Sequence, residues 1–472
     1  MRRSFIPFAL LCGTPVLLSG CGSLDRAAGV AAGFTSHQLC SATFVSQVDP
    51  DQFYREAIAP TVSQVGFLLS HQVDRARGEV TARFAGLAEA RAVYRGPQGC
   101  LVVHPPAPPA PSAPSSTAAT TAAGPAPSLL PPIAGPEAVA PTSPRLQAAL
   151  DRTFAETASA PHRFTKAVVV VHDGRVIAER YAPGYGVDTP VIGWSATKSV
   201  TNALIGILVR QGKVSLAGPA PIAAWSDPED PRRAITIDNL LRMNSGLDIG
   251  QSLVASASTS FDPTADMVFN QRDMAAFAEK APLKVAPGTW WNYTNGNTLL
   301  LSRIIREQSG GTAASVLAFA HRELFDKLGM QHPTLELDAT GTPIGSSHML
   351  ATPRDWARFG LLYLDDGVVG GERLLPEGWV AYSARPTPGS ETFGYGAGFW
   401  TNLGGGEGAR YRIKAGMPGD AFLARGAFGQ YIIVVPSKRL VVARFGMAYT
   451  PRDDMDVVAR LVADAIAAVD GE

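Results

Sequence analysis

The chain is poor in cysteine, carries no net charge and has no long hydrophobic run beyond its first twenty residues. Four cysteines in 472 residues exclude a disulfide-built miniature scaffold, and their spacing fits no zinc pattern. Lys and Arg together number 41, matched by 41 Asp and Glu, and no basic block occurs, so nucleic acid is not an expected partner. The histidines of the long C-terminal part (His162, His172, His321, His332 and His348) form no H-x-H or H-E-x-x-H pattern. Neither a metal nor an organic cofactor is expected on that count. A G-x-S-x-G elbow is missing too, because Gly193-Trp194-Ser195-Ala196-Thr197 lacks the last glycine.

What is present begins at the N-terminus. Arg2 and Arg3 precede an apolar stretch that ends in small residues before Cys21, the pattern of an export signal over residues 1–20. Leu18-Ser19-Gly20-Cys21 resembles the bacterial lipoprotein box, which makes Cys21 the expected lipidation site and the membrane a partner through that lipid. An exported, periplasm-facing location follows as an expectation. With Cys12 lost and Cys21 lipidated, Cys40 and Cys100 remain, and an oxidising compartment pairs them as one disulfide.

Residues 21–103 then form a small cysteine-bracketed region, with a strand expected over 79–84 and part of another near 92–95. Residues 104–144 are dense in Pro, Ala, Ser and Thr and read as an extended linker. The remainder, 145–472, reads as the main domain. Its first helix is expected near 145–155, followed by two β-rich runs joined through Asp173-Gly174, a strong hairpin signal. A second hairpin is expected over 431–445, and a terminal helix over 454–469 carries Met455, Val458, Leu461, Val462 and Ile466 on one face. Strands at both ends and a helical middle give an α+β class, an antiparallel sheet flanked by helices with an inserted, mostly helical lobe. Nothing in the sequence fixes an oligomeric state.

The chemistry rests on Gly193-Trp194-Ser195-Ala196-Thr197-Lys198. Val200, Leu204, Ile207 and Leu208 recur at helical spacing, so Ser195 stands at or just before a helix N-terminus. Lys198 lies one turn on, over the same face, and burial would make its amine a base near neutral pH. On spacing alone, an N-cap serine followed by a surface lysine fits equally well. Tyr293-Thr294-Asn295, the only Y-x-N, follows about a hundred residues later. A tyrosine whose pKa is lowered by that lysine would relay the proton to the leaving group.

These residues carry a resemblance. Residues 145–472 are similar to the penicillin-binding and class C β-lactamase superfamily of serine hydrolases, most of all to its esterase and 6-aminohexanoate-dimer hydrolase branch. Met243-Asn244-Ser245-Gly246-Leu247 and the run 351–360 around Arg354 and Asp355 add to it; the latter pair reads as support for a helix start. The resemblance implies a β-lactamase/transpeptidase-like fold, catalytic Ser195, Lys198 and Tyr293, and an oxyanion hole from the N–H groups of Ser195 and Ala427. It also implies substrate contacts from Asn295 or Asn297, from Gly426, and from Arg425, whose neighbour Ala424 stands where the family carries Lys or His. Trp194 is a candidate wall of an acyl pocket. The activity so implied is an acyl-enzyme hydrolase of small esters or linear amides. An alternative is a sensor or binding protein that acylates without turnover.

Overall fold

The computed structural model describes residues 16–63, 65–104, 128–253 and 260–471. The first fifteen residues of the expected signal, and 105–127 of the expected linker, lie outside the described residues. Cys21 falls within the helix Val16–Cys40. No helix of the described residues is long and apolar enough to cross a membrane.

A six-stranded antiparallel sheet organises the main domain, in the order Trp400–Thr401, Phe422–Gly426, Gln430–Val435, Leu440–Gly446, Thr165–His172, Arg175–Tyr181. Its interior strand Thr165–His172, next to the edge, carries four consecutive valines, β-branched residues that suit a pleated surface covered on both sides. Side chains alternate between faces, so Ala167, Val169 and Val171 join one core cluster with Trp356 and Phe359 of the helix Pro353–Leu364. Val168 and Val170 join the other, against Leu146 and Leu150 of the helix Pro144–Phe154 and Val458 and Leu461 of the terminal helix Met455–Asp470. The Asp173-Gly174 hairpin turns with φ of 47° and 74°, the left-handed pair of a type I′ turn. Between the first hairpin and the last strands lies the helical lobe, including Pro263–Asn270 and Asn295–Gln308.

The linker expectation needs correction over its last part. Residues 128–143 dock on the edge strand Arg175–Tyr181 and do not span free space. The Val176 and Glu179 N–H groups donate to the carbonyls of Ile133 and Val139, each at 2.8–2.9 Å, and Ile133 is buried. An edge strand presents N–H groups that want acceptors, and a proline-rich segment has carbonyls to offer and few donors of its own. Arg354 fixes the arrangement, paired with Glu179 and donating to the Gly135 carbonyl at 2.6 Å. Asp355 accepts from the Gln331 and His332 N–H groups, so this pair braces the helix start.

Residues 22–104 form a four-stranded antiparallel meander (Leu69–Asp74, Glu79–Phe84, Ala88–Tyr94, Cys100–Val102) crossed by the helix Val16–Cys40. Cys40 and Cys100 are bonded, with Cα atoms 6.0 Å apart. The region packs onto the main domain. A Cβ on Gly33 would lie 2.8 Å from the Phe269 carbonyl, so only glycine lets this helix approach Pro263–Asn270 so closely. Glu336 of the main domain completes the seam: one carboxylate oxygen accepts from the Cys100 N–H and the Ser41 hydroxyl, both at 2.8 Å, and the other faces His37 Nε2 at 3.0 Å.

Replacing Cys40 and Cys100 together by serine should lower the thermal midpoint. The chain-entropy cost of a loop of 60 residues corresponds to about 4 kcal/mol. A double variant that melts together with the native protein in a calorimetric scan would show that the bridge does not hold this region in place.

Candidate active site

Ser195 lies in a short 3₁₀ turn, Trp194–Ala196, that leads into the helix Thr197–Arg210. Trp194 enters the turn with φ of 46°, a strained value for a bulky residue and one that recurs at functional sites. The apolar stripe of the helix is wholly buried, and Lys198 is buried with it.

The surroundings of the Lys198 amine decide its state. Nζ lies 2.7 Å from Asn295 Oδ1, 2.9 Å from the Ser346 carbonyl and 3.1 Å from Ser195 Oγ, with the Tyr293 ring 4.9 Å away. No carboxylate is among these partners, and burial pushes its pKa down to about 7. A neutral amine has two N–H donors and one lone pair. The amide oxygen and the carbonyl can only accept, so they take the two donors. The lone pair is then left for the Ser195 hydroxyl, the arrangement a general base requires.

Tyr293 is buried among Trp291, Tyr395 and Trp400. Burial pushes its pKa up to about 12, and its hydrogen bond with Ser195 and the charge of Arg425 pull against that without cancelling it. The expected lowering by the neighbouring lysine is therefore corrected: an amine whose own pKa has fallen to about 7 has lost its charge well before the pH at which the phenol would ionise. Tyr293 stays a phenol, able to donate a proton.

The two candidate asparagines separate. Asn295, the first residue of its helix, holds the lysine. Asn297 points into the core, where it accepts from the Ser245 hydroxyl at 2.8 Å and lies 3.8 Å from Met243 Sδ. Two residues along a helix turn a side chain to nearly the opposite face, so the substrate role expected of Asn297 is corrected to support of the 243–247 loop. The strand Phe422–Gly426 ends against the nucleophile turn, and a Cβ at Gly426 would sit 2.1 Å from the Gly193 carbonyl. Only glycine permits that approach, which leaves Ala427 and Ser195 lining the same space. Arg425 does not point at solvent. It donates to Asp453 at 2.8 Å and lies over the Trp400 ring.

Two cavities meet at Ser195. One, of about 610 Å³, is walled by apolar side chains and includes Trp194, Asn295, His348 and Ala427. The other, of about 480 Å³, is bordered by Tyr293, Glu407, Arg412, Arg425, Arg452 and Asp453. Sequence reasoning gave His348 no role, and it assigned no chemistry to the N-terminal region. Trp194 packs between Phe34 and Phe428 and against His348, whose burial holds it well below the usual imidazole range. Among the described residues one cluster has ligand atoms close enough to share a cation: His37, Glu336 and His348, within 4.8 Å of one another. Glu336 is already engaged by Cys100, Ser41 and His37, so the cluster acts as a strut between the two regions.

Residues 150–467 match the Beta-lactamase family model. The chain belongs to the Beta-lactamase family. It is 27% identical over 226 residues to a 6-aminohexanoate-dimer hydrolase of Paenarthrobacter ureafaciens, covering 46% of this chain and 56% of that relative. A proposed 6-aminohexanoate-dimer hydrolase from Bacillus anthracis superposes with a TM-score of 0.57 at 21% identity, over 72% of this chain and 89% of that one. A penicillin-binding protein homologue from Caulobacter crescentus gives 0.51 at 18%, over 71% of this chain and all of its own. These likenesses show the fold, a β-lactamase/penicillin-binding architecture with helices flanking an antiparallel sheet.

The neutral form of Lys198, the one able to accept a proton, is gained as pH rises through about 7. The rate at which a fluorophosphonate labels Ser195 should therefore climb with pH and level off above about 8. A flat rate from about pH 5 to pH 9 would show that Lys198 does not activate the serine.

Proposed function

We propose that the protein is a serine hydrolase of small esters or linear amides that works through an acyl-enzyme. The observation that carries this reading is the buried Lys198 amine whose two other partners can only accept, beside Ser195 at 3.1 Å. Ser195 Oγ attacks the carbonyl carbon and Lys198 takes its proton. The oxyanion rests on the N–H groups of Ser195 and Ala427, dipoles fixed by the turn and by the close approach of Gly426. The bond from carbonyl carbon to leaving oxygen or nitrogen breaks, and Tyr293 delivers the proton to that leaving atom. Water then attacks the acyl-serine and gives one proton to the Tyr293 oxygen, while Lys198 returns its proton to Oγ as the bond from Oγ to the acyl carbon breaks and the carboxylic acid departs.

Esters and linear amides rank ahead of β-lactams. The family's Lys-Thr-Gly strand reads Ala424-Arg425-Gly426 here, and the Arg425 charge is partly spent on Asp453. The relative from Paenarthrobacter ureafaciens, named for hydrolysis of a 6-aminohexanoate dimer and not of a β-lactam, points the same way. We also propose an exported lipoprotein held at a membrane, periplasm-facing, through lipid on Cys21. The Leu18–Cys21 pattern and the Cys40–Cys100 bridge, a bond at home in oxidising compartments, support this.

Against short acyl esters, Ser195→Ala should lose roughly four orders of magnitude or more in turnover, and Tyr293→Phe about 10²- to 10⁴-fold. A fluorophosphonate should add once to the native protein and not to Ser195→Ala, as read by intact mass. Retained turnover in Ser195→Ala would end the hydrolase reading; labelling without turnover of any ester or amide would favour the acylating sensor. In membrane fractions, the mature N-terminal peptide should begin at Cys21 and carry diacylglycerol. An unmodified Cys21 there would remove the anchor.

A further inference from the structure

We propose that the N-terminal region builds the acyl-binding pocket of this enzyme, and that the pocket takes a medium- or long-chain aliphatic acyl group. The inference rests on the hydrolase reading above. The family match begins at residue 150, so the helix Val16–Cys40 and its small sheet are additions to the common domain. That helix nonetheless reaches the nucleophile: its Phe34 stacks on Trp194, the residue before Ser195.

The 610 Å³ cavity is the product of this docking. One wall comes from the helix, with Leu24, Ala27, Ala31 and Phe34, and a second from the small sheet and its loops, with Leu68 and Leu87. The main domain supplies the opposite side through Val268, Phe269 and Phe428, and Ser195 lies at the junction with the second cavity. No Asp, Glu, Lys or Arg is among the described residues lining it, and His348, its one titratable neighbour, is held neutral by burial. An acetyl group would leave most of this volume empty, whereas an alkyl chain would gain by leaving water for it. The cavity mouth carries Leu24, Leu87 and Phe261, each more than half exposed, an apolar rim where a chain could enter.

The geometry also says which half of the substrate goes where. Tyr293, which gives its proton to the leaving group, borders the second cavity and not the first. The alcohol or amine therefore departs into the space bordered by Glu407, Arg425, Arg452 and Asp453, and the acyl chain lies in the apolar one. The walls hold their positions because Glu336 and the Cys40–Cys100 bond fix the added region to the domain.

The test uses the full chain and p-nitrophenyl esters from acetyl to dodecanoyl. Each methylene that enters the pocket should raise kcat/KM by about twofold to fourfold, so the octanoyl ester should exceed the acetyl ester by tenfold or more. Ala31→Phe, which fills the pocket, should reduce that ratio at least tenfold. Leu24→Glu, placed at the exposed rim where folding is little affected, should lower it in the same direction. Methyl octanoate should be cleaved faster than octyl acetate. A ratio that is flat or falls with chain length, or a preference for octyl acetate, would overturn the pocket assignment while leaving the hydrolase reading intact. No turnover of any ester, with no labelling of Ser195, would remove both.

Discussion

A primary amine with no carboxylate beside it, closed off from water, is the constraint around which this site is arranged. Lys198 sits in the first turn of a helix buried from Thr197 to Leu208, and the same burial that stabilises the helix makes a charge there costly. Its two fixed acceptors come from distant segments, Asn295 at the start of one helix and the Ser346 carbonyl in a loop. They orient the amine so that its lone pair has one remaining direction, toward Ser195. The raised pKa of Tyr293 belongs to the same constraint, since burial penalises the phenolate more than Ser195 and the Arg425 charge favour it. One dry environment thus shifts two opposite kinds of group in opposite directions, the amine down and the phenol up.

The second organising feature is the seam between the N-terminal region and the main domain. One oxygen of the buried Glu336 carboxylate accepts from Cys100 and Ser41 on the other side of the seam, and the second faces His37 Nε2 at 3.0 Å without a hydrogen bond. The His37 and His348 rings stack parallel, 4.5 Å apart, and Gln38 reaches His348 at 3.0 Å. Polar contacts of this kind set orientation, while the glycine-permitted approach of two helices supplies area. The result is an active site with two unlike arms, one apolar and one charged, meeting at the nucleophile.

Much of this was legible in the residue order, because it depends on neighbours along the chain. The Asp173-Gly174 turn, the valine-rich strand, the terminal helix and the three-residue step from Ser195 to Lys198 are local patterns, and local backbone preferences are enough to set them. Residues 128–143 were misread for the opposite reason: their composition describes a free chain, but an edge strand a few dozen residues away offers them donors. Asn295 and Asn297 could not be told apart without knowing which face of their helix meets the lysine. Nor could the direction of the Tyr293 shift be read before its aromatic surroundings were known.

The sequence by itself determined the two halves of the sheet, the start of the nucleophile helix and the placing of a serine and a lysine on one helical face. Those follow from periodicity and turn chemistry, which act over a few residues. It was the folded arrangement that brought the lysine's pKa down to about 7, gave Arg425 to Asp453, and made a region with no recognisable chemistry wall the apolar arm of the site. Each of these depends on desolvation or on partners brought together from far along the chain, and no local pattern encodes what will exclude water from a given atom.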